Sequence, residues 1–473
     1  MRAAIAAESA RIPSVSIVCE GFAGQASATG RGYGYDDLAI AQTVGHVDAQ
    51  SVDEMVENFV SVTVDQVIAG LIAEAERGAS GPNADGESAA LDPSALDIVA
   101  TGSVDEINAV FRDRGWTDGN PIIPPTRDRV ETFLEASGHD PWKVLGVAPS
   151  SGRDVTVWSI GVNAVMAGCA PEHLPILLAV AEVLLDPDYG AEHSGNTTGA
   201  DALVILSGPA GEALGFNHGA GALREGAHAN TSVGRWLRLY LRNVFGFTGD
   251  ELDKATFGNS TRVVLAEDHA ALADIGWPTL AEDLGGTPGA DAVSVARMNS
   301  GTIIGSVFGS TPDEIAPYLG NGIARTAAWD LTHVYGLGHD QFAPLLILSP
   351  ILARTFAGAG MSKTDVQKML FEHARIPAVT FESMIGEWSN LTAGRRTLVE
   401  LVTEGILPEV FAASDDPTRL VPVVTKPERL LIAVAGDPNR TNAYALSNDG
   451  PHGWWTTKEI DFATSDDLVC RTD

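Results

Sequence analysis

The stretch Ser14–Cys19, SVSIVC, decides how the chain begins to fold. It is a short, largely apolar run with β-branched Val15, Ile17 and Val18, bounded by Pro13 and Gly21. That pattern reads as a strand buried on both faces, the kind found in parallel sheets. Upstream, Arg2–Ser9 reads as a short helix. Downstream come a glycine-rich loop, Gly21–Gly34, and a second strand at Leu38–Gln42. From Val52 a long amphipathic helix carries Met55, Phe59, Val60, Val67, Leu71 and Ile72. Two short parallel strands under one helix cannot shield both faces of a sheet. This first part is therefore expected to be incomplete, with another chain, a second domain or upstream residues lying beside SVSIVC.

Arg77–Pro93, RGASGPNADGESAALDP, reads as a linker rich in Gly, Ser, Ala and Asp. The expected organisation is a partial α/β segment at 1–76, a linker at 77–94 and a large mixed α+β domain at 95–473, with room for two subdomains. Within it Ser103 and Glu106 form a capping box that opens a helix through Phe111, and Thr126 caps the next. Two helices flank MAGCAPEHLP, one ending near Ala167 and one starting at Pro171. Strands are expected at Ala202–Leu206, Arg262–Leu265, Ala292–Val295, Pro344–Leu348 and Leu430–Val434. No internal repeat is found, so the fold class is α/β or α+β rather than a solenoid.

With 473 residues the chain exceeds what one hydrophobic core serves. Its 62 acidic residues against 30 basic ones give a formal charge of −32, a field that repels phosphate backbones and anionic lipid. Nucleic-acid and membrane partners are therefore not expected. The apolar runs Pro175–Leu185 and Phe342–Leu352 fall well short of the roughly 20 residues of a membrane span. The N-terminus lacks a secretory signal pattern, which places the protein in the cytosol. Cys19, Cys169 and Cys470 are too few and too far apart for a disulfide framework, and read as free thiols.

Cys169 precedes the helix expected at Pro171, so the helix dipole would lower its thiol pKa, with Glu172 and His173 in reach as base or metal partner. The other reading is a small buried residue between packed helices, which the burial habit of free cysteine favours. Cys19, at the end of a buried strand, is either a ligand contact or a core thiol. Cys470 carries no role. Gly30, Gly32 and Gly34 could let backbone amides meet an anion, but lack dinucleotide spacing and read as a turn-rich loop.

Asn217 and His218, in GFNHGAGALREGAHAN with His228 beyond, suit a substrate pocket or serve only a turn. Arg235, Arg238 and Arg242 share a helix face, where they would bind a carboxylate or pair with nearby acids. Arg235 is the preferred substrate contact, with Asn230 just before it and Cys19 as a further candidate. Glu267, Asp268 and His269 follow a strand directly, which suits acid–base work or metal binding. No HExxH, HxH or cysteine cluster supports a metal, so a metal site would be assembled from distant histidines.

Two stretches resemble the UGSC family of (seleno)proteins, named for a selenocysteine or cysteine followed by Gly, Ser and Cys. Glu8–Phe22, ESARIPSVSIVCEGF, is similar to the segment that follows the family motif, and GHVDAQSVDEMVENFVSVTVDQVIAGL to the end of that domain. The motif itself is absent, because Met1 already lies past that point. The blocks GWTDGNPIIPPT, GVNAVMAGCAPEHLPILLAV, SGPAGEALGFNHGAGAL and ANTSVGRWLRLYLRNVFG resemble a large bacterial domain found with the UGSC-like one, as do MSKTDVQKML and LLIAVAGDPN. The resemblance implies a thiol-linked or small-molecule enzyme without naming a reaction.

The expected function is an enzyme on a small polar metabolite, carboxylates included. Its chemistry is thiol-linked redox or of acid–base lyase or hydrolase type, which makes it an oxidoreductase or a lyase. Cys169, Glu172, His173, Asn217, His218 and Glu267 are the catalytic candidates. The alternative is one subunit of a hetero-oligomer whose partner supplies the missing strand and redox motif. An oligomer is expected in either case.

Overall fold

The computed structural model describes residues 2–462 except 33, 34, 36, 46–49, 78–94, 136, 137, 249–251, 259–263, 328–341, 389–396 and 450–452. The architecture is α/β, divided into two compact units: residues 1–166 with 237–254, and residues 167–236 with 255–473. Beyond Arg77 the expected linker lies outside the described residues, as do Gly34 and Cys470.

The first unit opens with α1 (Arg2–Ser9), β1 (Ser16–Cys19), α2 (Ala23–Gly32) and β2 (Ile40–Thr43). β1 and β2 pair in parallel, Ser16 opposite Ile40 through Cys19 opposite Thr43. Gly21–Gly34 departs from expectation, because most of it is helix. Ala26, Ala28 and Thr29 are buried, and a Cβ on Gly30 would stand 3.0 Å from the Tyr35 carbonyl and 3.1 Å from Leu38 Cδ1. The glycine thus permits close packing of a helix instead of shaping an anion loop.

The second correction concerns β1. Ile17 is 48 % exposed, so the strand is not buried on both faces. β1 and β2 form a sheet of two strands, and Cys19, on the same side of β1 as Ile17, is half-buried.

α3 (Val52–Asn58) passes through a π-helical turn, Phe59–Thr63, into α4 (Val64–Arg77). Ser51 and Glu54 form a capping box at its start. Val52, Val56, Val60, Ile68, Leu71 and Ile72 on this helix are exposed, and only Thr63 between Val52 and Ala73 is buried. Val52–Ala73 is also long and apolar enough to cross a membrane by length and composition, which the apolar runs of the sequence had not indicated.

The rest of the unit comprises α5 (Val104–Asp113), α6 (Arg127–Glu135), β3 (Val144–Val147), β4 (Asp154–Thr156) and α7 (Val157–Ala167). The α5 capping box is as expected, with Ser103 N–H donating to Glu106 Oε2 at 2.7 Å and Glu106 N–H to Ser103 Oγ at 3.4 Å. Arg242 Nε donates to the Gly115 carbonyl, so this arginine is committed within its own unit.

In the second unit Pro171–His173 forms a 3-10 turn that leads into α8 (Leu174–Leu185), matching the start read from Pro171. There follow β5 (Asp201–Ser207), α9 (Ala210–Ala213), α10 (His228–Asn243, whose residues from Leu237 onward belong to the first unit), β6 (Leu265–Ala266), α11 (His269–Ile275), α12 (Leu280–Asp283), β7 (Ala292–Ile304) and α13 (Pro312–Ala327). Next come β8 (Leu345–Leu348), α14 (Pro350–Gly358), α15 (Lys363–His373), β9 (Arg375–Pro377), α16 (Ala378–Ile385) and α17 (Leu398–Thr403). β10 (Leu420–Pro422), β11 (Leu431–Val434), β12 (Ala443–Asn448) and β13 (Thr456–Glu459) complete the described elements.

Seven strands form one mixed sheet in the order β11-β8-β12-β7-β5-β6, with β13 on β7. β5 pairs parallel with β6, β8 parallel with β11, and β7 runs antiparallel to β5, β12 and β13. Alternate residues of one face, among them Leu203, Ile205, Leu265, Met298, Leu345, Leu431 and Leu446, pack as a single cluster. The other face, including Leu346, Leu348, Ile432 and Val434, packs on α13, α14 and α15. Both faces being covered explains why LLIL and LIAV are continuous apolar runs. The outermost strands meet: Asp268 N–H, just past β6, donates to the Val434 carbonyl at the end of β11 at 2.8 Å. The sheet thereby curls, and the ends of β6 and β11 stand side by side.

Candidate functional site

The meeting of β6 and β11 gathers two polar motifs that lie fifty residues apart in the chain. The glycine-rich loop of Asn217 and His218 is held by Asn230, near the start of α10 and fully buried. Asn230 Oδ1 accepts from Asn217 N–H at 2.7 Å, and its Nδ2 donates to the Asn217 carbonyl at 3.0 Å and the Val264 carbonyl at 2.7 Å. One side chain thus ties the loop to the residue preceding β6. Asn230 is consumed by that task, which corrects its assignment as a substrate contact.

Asn217 is consumed likewise: its Oδ1 accepts from Gly219 N–H and its Nδ2 donates to the Ala220 carbonyl, both at 3.0 Å. These bonds shape the turn and fix the residue between them, His218. The His218 carbonyl accepts from Gly436 N–H at 2.7 Å, which anchors the loop to the end of β11.

Asp268 approaches from β6. Its Oδ1 caps α11 by accepting from Ala271 N–H at 2.9 Å, and its Oδ2 lies 3.6 Å from His218 Nδ1. The side chains are 28 % exposed for His218 and 13 % for Asp268. His218 Nδ1 is itself buried without a hydrogen bond, so the exposed part of the ring is the remainder, which includes Nε2. An imidazole with a carboxylate near one nitrogen and open at the other is suited to proton transfer.

Glu267 points elsewhere. Its Oε2 accepts from Ser207 Oγ at 2.6 Å and from Leu280 N–H at 2.9 Å, at the start of α12. Burial pushes its carboxyl above the ordinary range, while Lys363, Ser207 and the Leu280 amide pull it back. Lys363 is buried too, donating to Asp283 Oδ2 at 2.6 Å and the Pro278 carbonyl at 2.7 Å. Asp283 is likewise raised by burial, against the pull of Lys363. These groups form a buried charged support beneath the strand ends. His269 begins α11, with Nδ1 buried and without a hydrogen bond.

A second cluster lies around MAGCAPEHLP. Cys169 is buried, and burial pushes its thiol up to about 12, although a hydrogen bond with Ser232 and the charge of Arg235 pull it down. The lowered thiol expected from the helix start is thus reversed, because desolvation of a thiolate outweighs the dipole of a short 3-10 turn. His173 is buried and lowered to about 4, mainly by desolvation, with Glu172 opposing and His228 adding to the shift. Its ring lies 5.6 Å from that of Phe216 and 5.9 Å from that of His228. His228 Nε2 is 2.8 Å from the Gly168 carbonyl, and Glu172 is exposed. Cys169 and His173 are thus packed away uncharged, while Glu172 and His228 reach the surface.

Cys19 ends β1 at intermediate exposure, in the other unit from these clusters. Among the described residues no group of three or more His, Cys, Asp or Glu side chains is placed to hold a metal ion. The sequence had marked His218 and the Glu267–His269 run separately, and the pairing of His218 with Asp268 was not anticipated. Ser232, Lys363 and Asp283 were missed, since a lone serine, lysine or aspartate carries no pattern.

Residues 1–73 match the UGSC family model, so this segment is UGSC-like, and the rest of the chain has no family match. No curated protein and no solved structure matches the chain.

Proposed function

We propose that this protein is an enzyme that moves a proton on a small polar metabolite, with His218 as the acid–base group and Asp268 as its orienting partner. The observation that carries this reading is the 3.6 Å approach of two side chains delivered by separate segments and individually anchored at the joined ends of β6 and β11. Asp268 is held by its own amide and by its cap on α11, so its carboxylate is preset. His218 is held by a turn that Asn217 and Asn230 fix. The gap exceeds an ordinary hydrogen bond by about half an ångström, and such contacts tighten when substrate binds. Thiol chemistry at Cys169 is disfavoured, because a thiol held near 12 is neutral at physiological pH.

The test is turnover of a pool of small polar metabolites, followed by mass spectrometry, for wild type, His218→Asn and Asp268→Asn. Loss of the positioned base lowers the rate by about 10²–10⁴-fold. Undiminished turnover in His218→Asn sinks the reading.

A second reading, in which another chain packs against the UGSC-like segment, is favoured by the exposed apolar side chains of Ile17, Val56, Val60, Ile68 and Ile72. Native mass measurement of protein from its host separates the two. A tightly bound second polypeptide supports a multi-subunit enzyme, and a monomer counts against it.

A further inference from the structure

We infer that the start of α14 is the anion-binding part of this site, so that the metabolite is an anion, held by a carboxylate or phosphate group beside His218. The inference rests on the proton-transfer reading for its location but has its own evidence. Ser349 is the N-cap of α14 and Pro350 its first residue, directly after β8. A serine at this position ordinarily accepts from the second or third amide of its helix. Here it does not: the amides of Leu352 and Ala353 both donate to the Ser349 carbonyl, at 3.0 and 3.1 Å, and the side chain makes no cap bond.

Two donors are left over at the positive end of a nine-residue helix. Ser349 Oγ is buried without a hydrogen bond, in a residue only 4 % exposed. Ile351 N–H has no acceptor among the described residues. A buried hydroxyl without a partner is costly, and a hydroxyl plus a free amide at a helix start is the donor set that anions take.

The backbone bonds locate these donors relative to His218. Ala435 N–H donates to the Leu348 carbonyl at 3.0 Å, which continues the β8–β11 register and puts Ser349 opposite Ala435, one residue before Gly436. Gly436 in turn donates to the His218 carbonyl. Gly436 has φ +109°, and no heavy atom lies within 4 Å of where its Cβ would be, so space is open between the two sides. Two strand spacings separate the β8 end from the His218 loop, about 10 Å between backbones. That span fits a molecule of a few carbons, with its anionic group on Ser349 and Ile351 and its reacting centre at His218.

The experiment titrates inorganic phosphate, and separately acetate, into the full-length protein at constant ionic strength, reading the rise in Tm. A saturable rise is expected in wild type and in His218→Asn, with affinities within about twofold. Ser349→Ala removes one donor, and Ser349→Asp sets a carboxylate against the anion while still able to cap the helix. Both are expected to weaken binding, the aspartate by at least about tenfold. Absence of a saturable effect in wild type, wild-type affinity in both Ser349 variants, or loss of binding in His218→Asn alone overturns the assignment. The proton-transfer reading fails separately, through undiminished turnover in His218→Asn, so the two failures are distinguishable.

Discussion

Replacing Asn230 by aspartate changes one NH2 group to oxygen, yet it should destabilise the protein more than truncation to alanine. In the native site Nδ2 donates to two carbonyls, those of Asn217 at 3.0 Å and Val264 at 2.7 Å, while Oδ1 accepts from Asn217 N–H at 2.7 Å. Alanine removes three bonds of about 1 kcal/mol each and leaves buried groups unpaired, for a total of about 3 kcal/mol. Aspartate keeps the acceptor but turns a second oxygen toward the two carbonyls. The residue is fully buried, so the variant must hold an unpaired charge or take up a proton, at about 4–5 kcal/mol. At about 2–3 °C per kcal/mol for a unit of this size, Tm should fall by about 6–9 °C for Asn230→Ala and by more for Asn230→Asp. Thermal unfolding at pH 7, with urea unfolding as a second probe, measures both. If Asn230→Asp is as stable as wild type, or clearly more stable than Asn230→Ala, the two-carbonyl clamp is wrong.

Further outcomes follow from the same geometry. Lys363→Met should cost about 3–5 kcal/mol by stranding Asp283, and adding Asp283→Asn should recover part of it, as urea unfolding of the two variants would show. His173, lowered to about 4, is neutral in the folded protein, so its contribution is fully present above about pH 6.5 and is lost as pH falls toward 4. His173→Asn should flatten that acid limb in stability–pH curves, and an unchanged limb refutes the role. Glu267 acts in the opposite direction: its raised carboxyl binds more protons folded than unfolded, so stability falls as pH rises from about 4. Glu267→Gln should remove that fall. Cys169, pushed up to about 12, should resist iodoacetamide at pH 8 in the folded protein while half-buried Cys19 reacts, with peptide mapping as the readout.

Local signals in the sequence were enough to define many elements. The capping box at Ser103, the helix start at Pro171 and the strands LLIL and LIAV are each written in a few adjacent residues, because caps, proline geometry and two-sided burial act over one or two turns. The UGSC-like character of residues 1–73 was legible for the same reason. Where the reading failed, the deciding contact was a packing or hydrogen-bond partner that residue type alone does not specify. Gly30 looked like part of a loop until Tyr35 and Leu38 showed a packed helix. Cys169 looked activated until its burial outweighed the dipole. Asn217 and Asn230 looked like ligand groups until each was seen to be satisfied by backbone. Residue types alone marked His218 and the Glu267–His269 run as chemically capable. Their convergence depends on a sheet that curls until β6 meets β11, and such curvature is a sum over many strand pairings that no short stretch of sequence encodes.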